Sequence, residues 1–359
     1  MDYFKYATGL TMTCDDKWQR LFGMKRRVTE DALAQTEANL ALAIQSVTEE
    51  IVLKLAKTAI NGTKSANLVM AGGVALNGVV NGKLDALPEI ENLWTQPAAG
   101  DAGGALGAAL ATWHILRGKP RKIQFPDAMY GALLEPAFTS AHIEALLQSY
   151  PHLIFKKYDS EALLLENSAL ALTQGKIVGW FQGRMEFGPR ALGNRSILAD
   201  PRNPDMQQKI NQKIKFREGF RPFAPSILEE DAREYFDIQN PSPYMLLVKP
   251  VSEKQRKAPN SAKNRGLQAR LQQIRSSIPA VTHVDYSARI QTVNKNINPR
   301  YYKLLTAFKE KTGIGMLINT SFNVKDSPIV CSPLDAMECF LQTEMDVLVM
   351  EDYILTKKP

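Results

Sequence analysis

Hydrophobic residues recur at helical spacing near the start of the chain and predict a long amphipathic helix over residues 29–58. The apolar positions of this stripe are Leu33, Leu40, Ile44, Val47, Ile51 and Leu55. Thr29 is suited to cap the helix, and Glu30 and Asp31 place negative charge in its first turn.

Short apolar runs then alternate with glycine-rich turns. A strand predicted at 68–70 runs into AGGVALN at 71–77, and a second strand is predicted around 93–95. GDAGG at 100–104 opens a helix rich in Ala and Gly that extends to Ile115. Strand, glycine turn and helix in this order are typical of an α/β domain.

A second α/β unit is predicted further along. Its helices are expected at 160–174, 299–311 and 333–342, and its strands at 176–181, 316–318 and 346–350. Gly and Pro concentrate at 117–136, which indicates a linker. We therefore predict one unit over 1–125, a linker region over 126–164 and a second unit over 165–359.

Composition narrows the class of protein. The 359 residues are 45% hydrophobic and 23% charged, which is ordinary for a folded chain. The sequence contains neither a membrane-length apolar run nor an N-terminal secretory pattern. Three cysteines, odd in number and without metal-ligand spacing, fit a reducing compartment. These features favour a cytoplasmic location and exclude a membrane partner.

Positive charge concentrates in one segment. The net charge is +7, and residues 254–275 hold seven basic side chains and no acidic one. The segment is interpreted either as a mobile surface loop or as an arm that attracts an anionic substrate. Nucleic acid is the weaker alternative, because the segment has no aromatic residue for base stacking.

Two clusters combine basic residues with glycine or aromatic residues. Residues 183–196 place three arginines among glycines, which suits an anion-binding loop or a surface loop that pairs with its own carboxylates. Residues 213–226 alternate basic and apolar side chains. An extended segment there would direct Lys213, Lys215 and Arg217 to one face. A half-buried edge strand with solvated lysines is the alternative.

Four weaker signals remain open. His283 lies in a polar run at 282–291, and a lone histidine is more often structural than functional. The polar run at 318–323 ends a strand and suits either ligand binding or a turn. The glycine pair at 72–73 suits a nucleotide phosphate or adenosine. Asp101 suits a helix cap or a divalent cation.

Several of these strings occur together in one family. MEFGPRALGNRS at 185–196, FRPFAPS at 220–226, THVD with ARIQTV at 282–293 and NTSFN at 319–323 resemble, in this order, the nodulation-protein and antibiotic O-carbamoyltransferases. The resemblance extends from about Tyr3 to Lys357 and is most specific over the second unit. Tyr286 and Lys325-Asp326-Ser327 depart from the family, which usually has a small residue and a glycine there.

The resemblance implies a fold and a reaction for the second unit. Its domain is similar to the YrdC/Sua5 fold, which binds ATP and a small carbonyl donor through a Lys-x-Arg pattern and a distant Ser-x-Asn pattern. Carbamoyl phosphate and ATP are then expected to yield a carbamoyl-adenylate. The residues expected to bind these ligands are Arg190, Arg195, Lys215, Arg217, Arg221, Arg289, Asn319, Ser321 and Asn323.

The first unit resembles part of an actin-like (Kae1-type) lobe, which passes the carbamoyl group to a hydroxyl of a sugar or natural product. Gly72, Gly73 and Asn77 match its nucleotide-side motif, and Asp101 matches its ligand for iron or magnesium. Family members begin with a further lobe that carries paired histidines. We therefore expect either a complete O-carbamoyltransferase or a subunit that needs a partner chain or a second copy. Threonylcarbamoylation of tRNA is the more distant alternative.

Overall fold

The computed structural model describes residues 2–27, 33–258 and 266–357. They form two compact units, divided after Ile51. The predicted helix cap at 29–31 lies outside the described residues.

The first unit is small and carries helix α1, Asp15–Phe22. Phe4 pairs with Thr13 in an isolated β-bridge, and Trp18 stacks on Phe22 with ring centroids 5.3 Å apart. Helix α2, Gln35–Thr63, begins in this unit and continues into the second.

The long helix is confirmed, but its bounds and its buried face differ from the prediction. It extends five residues beyond position 58, and Ile44, Val47 and Leu55 are exposed. Ala56, in the last part of the helix, is buried with Val80. Periodicity locates a helix, whereas burial depends on which elements contact it.

The second unit opens with a two-stranded parallel sheet of β1, Asn67–Met70, and β2, Asn92–Thr95. Helix α3, Gly78–Leu84, lies between them, and helix α4, Asp101–Ala111, follows and continues as a π-helical turn, Thr112–Leu116. Both predicted strands and the predicted helix are therefore present.

The main sheet has nine strands in the order β3-β11-β10-β4-β5-β9-β6-β8-β7. The strands are β3 Ile154–Lys157, β4 Val178–Phe181, β5 Arg195–Ala199, β6 Ala224–Leu228, β7 Leu247–Pro250, β8 Ser287–Val293, β9 Met316–Ser321, β10 Val347–Met350 and β11 Tyr353–Thr356. Only the β10–β4 and β6–β8 pairs are parallel within this sheet of the described chain.

Helices cover both faces of this sheet. They are α5 Ser140–Gln148, α6 Glu161–Thr173, α7 Met206–Lys213, α8 Ala232–Tyr235, α9 Leu267–Leu271, α10 Pro299–Thr312 and α11 Pro333–Gln342. Along β9, Met316 and Ile318 join one core and Leu317 joins the other, as the twofold period of a strand requires. The fold is therefore α/β, as predicted.

The segment 126–164, predicted to be a linker region, contributes to the fold. It supplies α5 and the edge strand β3, which pairs antiparallel with β11. All four β3 side chains are exposed, so the strand lacks the alternation of burial that a sequence pattern can report. Further upstream, the carbonyl of Ala132 accepts a hydrogen bond from the Phe187 N–H.

Residues 52–125 belong to the same compact unit as the main sheet, and the predicted boundary at 125 stays a prediction. Helix α3 packs directly on β7, and a Cβ atom at Gly82 would lie only 1.9 Å from the carbonyl oxygen of Val248. A buried ion pair joins Lys249 to Asp85 at 2.6 Å. This packing brings the start of α3 beside the sheet. Within the described ranges no helix has the length and apolar character needed to cross a bilayer.

Candidate functional site

A cavity of about 410 Å³ lies among α3, β7, β8, β9 and the loops before β5 and β6. Four arginines line it, Arg190, Arg217, Arg221 and Arg289, and its described lining includes no Asp or Glu. The cavity is therefore a concentrated positive site without carboxylate compensation on its wall.

Arg289 and Arg190 are the most confined of these cations. Burial, reinforced by the charges of Arg190 and Arg217, lowers the pKa of Arg289 to about 9. Burial also lowers the pKa of Arg190, whose Nη2 donates to the carbonyl oxygen of Leu76 at 3.2 Å. The Nε atoms of both arginines are buried without a hydrogen-bond partner in the described chain. The protein therefore leaves these two buried donors unsatisfied.

Arg217 is held in place by two contacts. Its Nε donates to Oδ1 of Asn211 at 2.8 Å, and its guanidinium lies 5.2 Å from the ring centroid of Phe223. Burial and the nearby Arg221 lower its pKa. Arg221 is more exposed, and its Nε donates to Glu218 at 2.9 Å. The free protein therefore carries mutual repulsion that a bound anion would relieve.

Lys215 lies behind the cavity wall and joins the two patterns implied by the family resemblance. Its Nζ donates to Oδ1 of Asn323 at 2.7 Å, to Oγ of Ser321 at 3.2 Å and to the carbonyl oxygens of both residues. Burial, together with Arg217, lowers the pKa of Lys215 to about 7, although these acceptors favour its ammonium form. Ser321 lines the cavity, so Lys215 anchors part of its wall.

The predicted row of Lys213, Lys215 and Arg217 on one face is wrong. Helix α7 ends at Lys213, whose ammonium pairs with Glu344 at the surface. The chain then turns at Phe216, which has φ +46° and is half exposed. The segment is consequently not extended, and only Arg217 of the three lines the cavity.

The loop at 183–196 is organised around one acidic side chain. Oε1 of Glu186 accepts hydrogen bonds from the backbone N–H groups of Leu192, Asn194 and Arg195 at 2.6, 2.8 and 3.2 Å. This buried carboxylate holds the loop in a turn that directs Arg190 to the cavity. The loop is thus held by its own carboxylate. Arg190 nevertheless lines the cavity and is available to bind an anion.

Arg195 is not brought to the cavity. It is fully buried, and it donates to backbone carbonyl oxygens of Gln182 at 2.9 Å and Asn194 at 3.0 Å, among others. Its guanidinium stacks 3.6 Å from the centroid of Phe181. With its donors committed to the protein, Arg195 supports the loops behind the site.

Asn319 and the residues of the glycine motif at 71–77 contribute in different ways. Asn319 lines the cavity and keeps a buried Oδ1 without a partner. Asn77 accepts from the N–H groups of Val79 and Val80, both at 3.2 Å, and so caps α3, whose Gly78 and Val79 line the cavity. The glycine pair at 72–73 is not part of this lining.

Asp101 does not provide a metal centre among the described residues. Its side chain is exposed at the first position of α4. No group of three or more His, Cys, Asp or Glu that could hold a metal occurs in 2–27, 33–258 or 266–357. A single carboxylate would hold an iron or magnesium ion only together with further ligands, such as substrate phosphates, so the metal prediction for Asp101 stays a prediction.

His283 is a cavity residue that sequence reasoning treated as structural. Its Nδ1 lies 3.0 Å from Oγ of Ser287, which donates to Oδ1 of Asp285 at 2.6 Å. Burial lowers the pKa of His283; Asp285 opposes this shift and Arg289 adds to it. The sequence signal that could have identified it as a site residue was its place in the THVD string at 282–285.

Apolar residues complete the wall. They are Val79, Met245 and Val248. No sequence pattern indicated them, because α3 and β7 meet only in the folded chain. The described parts of the basic segment, 254–258 and 266–275, do not line the cavity, and its remaining residues lie outside the described chain.

Two family models match this chain. The model described as Carbamoyltransferase C-terminus matches residues 169–357, and the one described as Carbamoyltransferase N-terminus matches residues 1–110. The cavity is lined by residues of both matches, since Gly78 and Val79 belong to the second.

Named relatives agree with this match. An uncharacterized protein of Synechocystis sp. is 52% identical over 359 residues, covering 99% of this chain and 58% of that protein. The nodulation protein NolNO of Sinorhizobium fredii is 39% identical over 327 residues, with coverages of 90% and 45%. The 3'-hydroxymethylcephem-O-carbamoyltransferase of Amycolatopsis lactamdurans is 34% identical over 256 residues, with coverages of 71% and 42%.

This chain thus spans about half the length of the curated relatives it matches. The matched C-terminal region alone accounts for more than half of the chain and contains all four cavity arginines. The chain belongs to the carbamoyltransferase family.

Proposed function

We propose that the arginine-lined cavity binds carbamoyl phosphate and ATP and forms a carbamoyl-adenylate, from which the carbamoyl group passes to a hydroxyl of a sugar or natural product. One observation carries this proposal: four arginines converge on one cavity whose described lining has no carboxylate. The name of the Amycolatopsis relative, an O-carbamoyltransferase, supports a hydroxyl acceptor.

Charge complementarity favours phosphate ligands. Several negative charges must share this pocket, and planar guanidinium groups match phosphate oxygens in pairs. The Nε donors of Arg190 and Arg289 are buried and have no hydrogen-bond partner in the described chain. Binding a polyanion would satisfy them and would raise the pKa of Arg289 towards its ordinary range.

The apolar wall favours a nucleotide over a bare oxyanion. Val79, Met245 and Val248 supply aliphatic surface beside the arginines. A ligand with both a planar apolar base and a charged tail uses both surfaces, as ATP does. The volume of about 410 Å³ lies within the range of small-molecule sites.

In this reaction the arginines would stabilise the negative charge that develops on the leaving groups. Water must be consumed if carbamoyl phosphate and ATP yield carbamoyl-adenylate with separate release of phosphate and pyrophosphate. Both leaving groups gain negative charge as their bonds break. Preorganised guanidinium groups stabilise that developing charge without reorganising.

Transfer to the acceptor makes further demands. Within the described residues, Asp101 has no cluster of additional ligands, so the site that would activate a hydroxyl is not assembled there. This favours a second form of the proposal, in which the chain makes the adenylate while transfer requires a partner chain or a second copy.

Mass spectrometry tests the adenylation step. Purified protein incubated with ATP and carbamoyl phosphate should accumulate carbamoyl-adenylate and release pyrophosphate. Arg217→Ala should weaken donor binding far more than Lys257→Ala, because Lys257 is an exposed residue outside the cavity lining. Failure of the folded wild-type protein to bind either ligand in calorimetry would refute the proposal. Adding simple sugar acceptors then separates adenylate formation from transfer.

A further inference from the structure

His283 lines the cavity and is the first residue of a short hydrogen-bonded turn that ends at Ser287. Its backbone N–H donates to the carbonyl oxygen of Ser287 at 2.8 Å, and its own carbonyl accepts from the N–H of Tyr286 at 3.1 Å. The turn leads directly into β8, which carries Arg289. The imidazole is therefore held beside the arginine cluster by a rigid element.

The hydrogen-bond pattern assigns the tautomer of this ring. Ser287 has one hydroxyl proton, and it donates that proton to the Asp285 carboxylate at 2.6 Å. Its Oγ must then accept from Nδ1 of His283, 3.0 Å away. The neutral ring therefore carries its proton on Nδ1, and Nε2 keeps a free lone pair.

No other described group on the cavity wall is suited to accept a proton. The arginines are donors only, and the lining holds no Asp or Glu. Asn319, Thr320 and Ser321 are not basic near neutral pH. Elimination leaves Nε2 of His283, for which no hydrogen-bond partner occurs in the described chain.

We propose that His283 accepts the proton of the water molecule that attacks the carbamoyl carbon of carbamoyl phosphate, with Ser287 and Asp285 as positioning residues. This inference rests on the proposed function. The water oxygen forms a bond to the carbamoyl carbon, and one of its two protons passes to Nε2. The bond from that carbon to the phosphate oxygen breaks, and inorganic phosphate leaves with the electron pair and takes the second proton. The remaining carbamate is the nucleophile for the α-phosphorus of ATP.

The charges around the ring keep it neutral at neutral pH. Arg289 faces it from β8, and Arg190, Arg217 and Arg221 occupy the same cavity, whereas Asp285 on its own turn is the opposing charge. Burial lowers the pKa of His283 further. Neutral imidazole is the form needed for proton acceptance.

Phosphate release from carbamoyl phosphate, measured with ATP present, tests the inference. We expect His283→Gln and His283→Ala to lower kcat by about 10²- to 10⁴-fold while ATP affinity, measured by calorimetry, is retained. His152→Gln, an exposed histidine elsewhere, is the matched control and should behave as wild type. Added imidazole should partly restore His283→Ala.

The pH profile provides a second readout. Wild-type kcat should fall on the acidic side as His283 becomes protonated, and this limb should be absent in His283→Gln. Asp285→Asn removes the charge that raises the pKa of His283, so its acidic limb should move to lower pH. A structural role would leave the limb in place.

The outcomes separate the two proposals. If wild-type protein makes no carbamoyl-adenylate, both fail. If it does, but the His283 variants keep their rate or the acidic limb persists in His283→Gln, only the role of His283 is overturned. If His283→Ala does not fold, His283→Gln and Asp285→Asn decide the question, since ATP binding reports whether each variant is folded.

Discussion

Replacing Arg289 by methionine should stabilise the ligand-free protein while it weakens polyanion binding. Methionine keeps most of the aliphatic packing of the arginine stem. It removes a cation whose pKa is lowered to about 9 by burial and by Arg190 and Arg217. The free protein therefore loses a repulsive, desolvated charge that only a ligand would compensate.

The magnitude follows from that shift. Each tenfold change in a protonation equilibrium corresponds to about 1.4 kcal/mol, so the upper bound is several kcal/mol. Because the Arg289 side chain is half-buried and faces an open cavity, screening reduces this, and we expect about 1–2 kcal/mol. The folded-state pKa lies below the unfolded-state value, so the penalty is full below about pH 9 and declines as the pH rises from there towards the unfolded-state pKa.

Denaturant unfolding at pH 7 and pH 10 measures both effects. The advantage of Arg289→Met should be present at pH 7 and smaller at pH 10. Inorganic pyrophosphate at about 100 times its Kd should stabilise wild type by about 2.7 kcal/mol and the variant much less. Arg121→Met, at an exposed position, controls for the substitution itself.

Two results would refute this reasoning. A clear loss of stability in ligand-free Arg289→Met would show that the arginine stabilises the empty cavity. Equal stabilisation of both proteins by pyrophosphate would show that the four arginines do not act on one anion. Either result would also weaken the case for a phosphate site.

Three further substitutions have expected outcomes. Arg195→Met should cost about 3–5 kcal/mol of unfolding free energy in denaturant titration, because its carbonyl partners lose a buried cation; a loss of ligand affinity without a loss of stability would contradict its structural role. Lys215→Gln should weaken ATP binding by tenfold or more in calorimetry, whereas Lys213→Gln, which breaks only a surface ion pair, should change it little. Gly82→Ala should lower the midpoint of thermal unfolding, since its Cβ would lie 1.9 Å from a backbone oxygen of β7; Gly104→Ala, with open space around it, should not.

After residue 160, local patterns predicted helices α6, α10 and α11 and strands β4, β9 and β10, because the determinants of those elements are local; the other strands of the main sheet were not assigned. Helix α11 begins with a capping box between Ser332 and Asp335, and its apolar residues fall at helical spacing. Strand β4 is a short apolar run covered on both faces. Strand β3 was missed because its side chains are all exposed and its pairing with β11 is a long-range contact.

Two departures from the family pattern illustrate a different limit. Tyr286 and Asp326 lie where the family resemblance leads us to expect a small residue and a glycine, and both adopt positive φ, +63° and +61°. The sequence shows that these residues are unusual. Only the backbone conformation explains why glycine would be favoured there.

The sequence by itself determined the residue chemistry of the candidate site: an excess of arginines, a strand ending in small polar residues, and glycine turns that favour an α/β fold. Tertiary structure decided which of those residues share a cavity. Arg195 and Arg289 are chemically identical, yet one donates to backbone carbonyls in the interior and the other faces the cavity beside His283. The physical reason is that a side chain's role depends on the partners that desolvate it. Those partners, such as α3 against β7, lie more than a hundred residues apart in the chain and meet only when the sheet has formed.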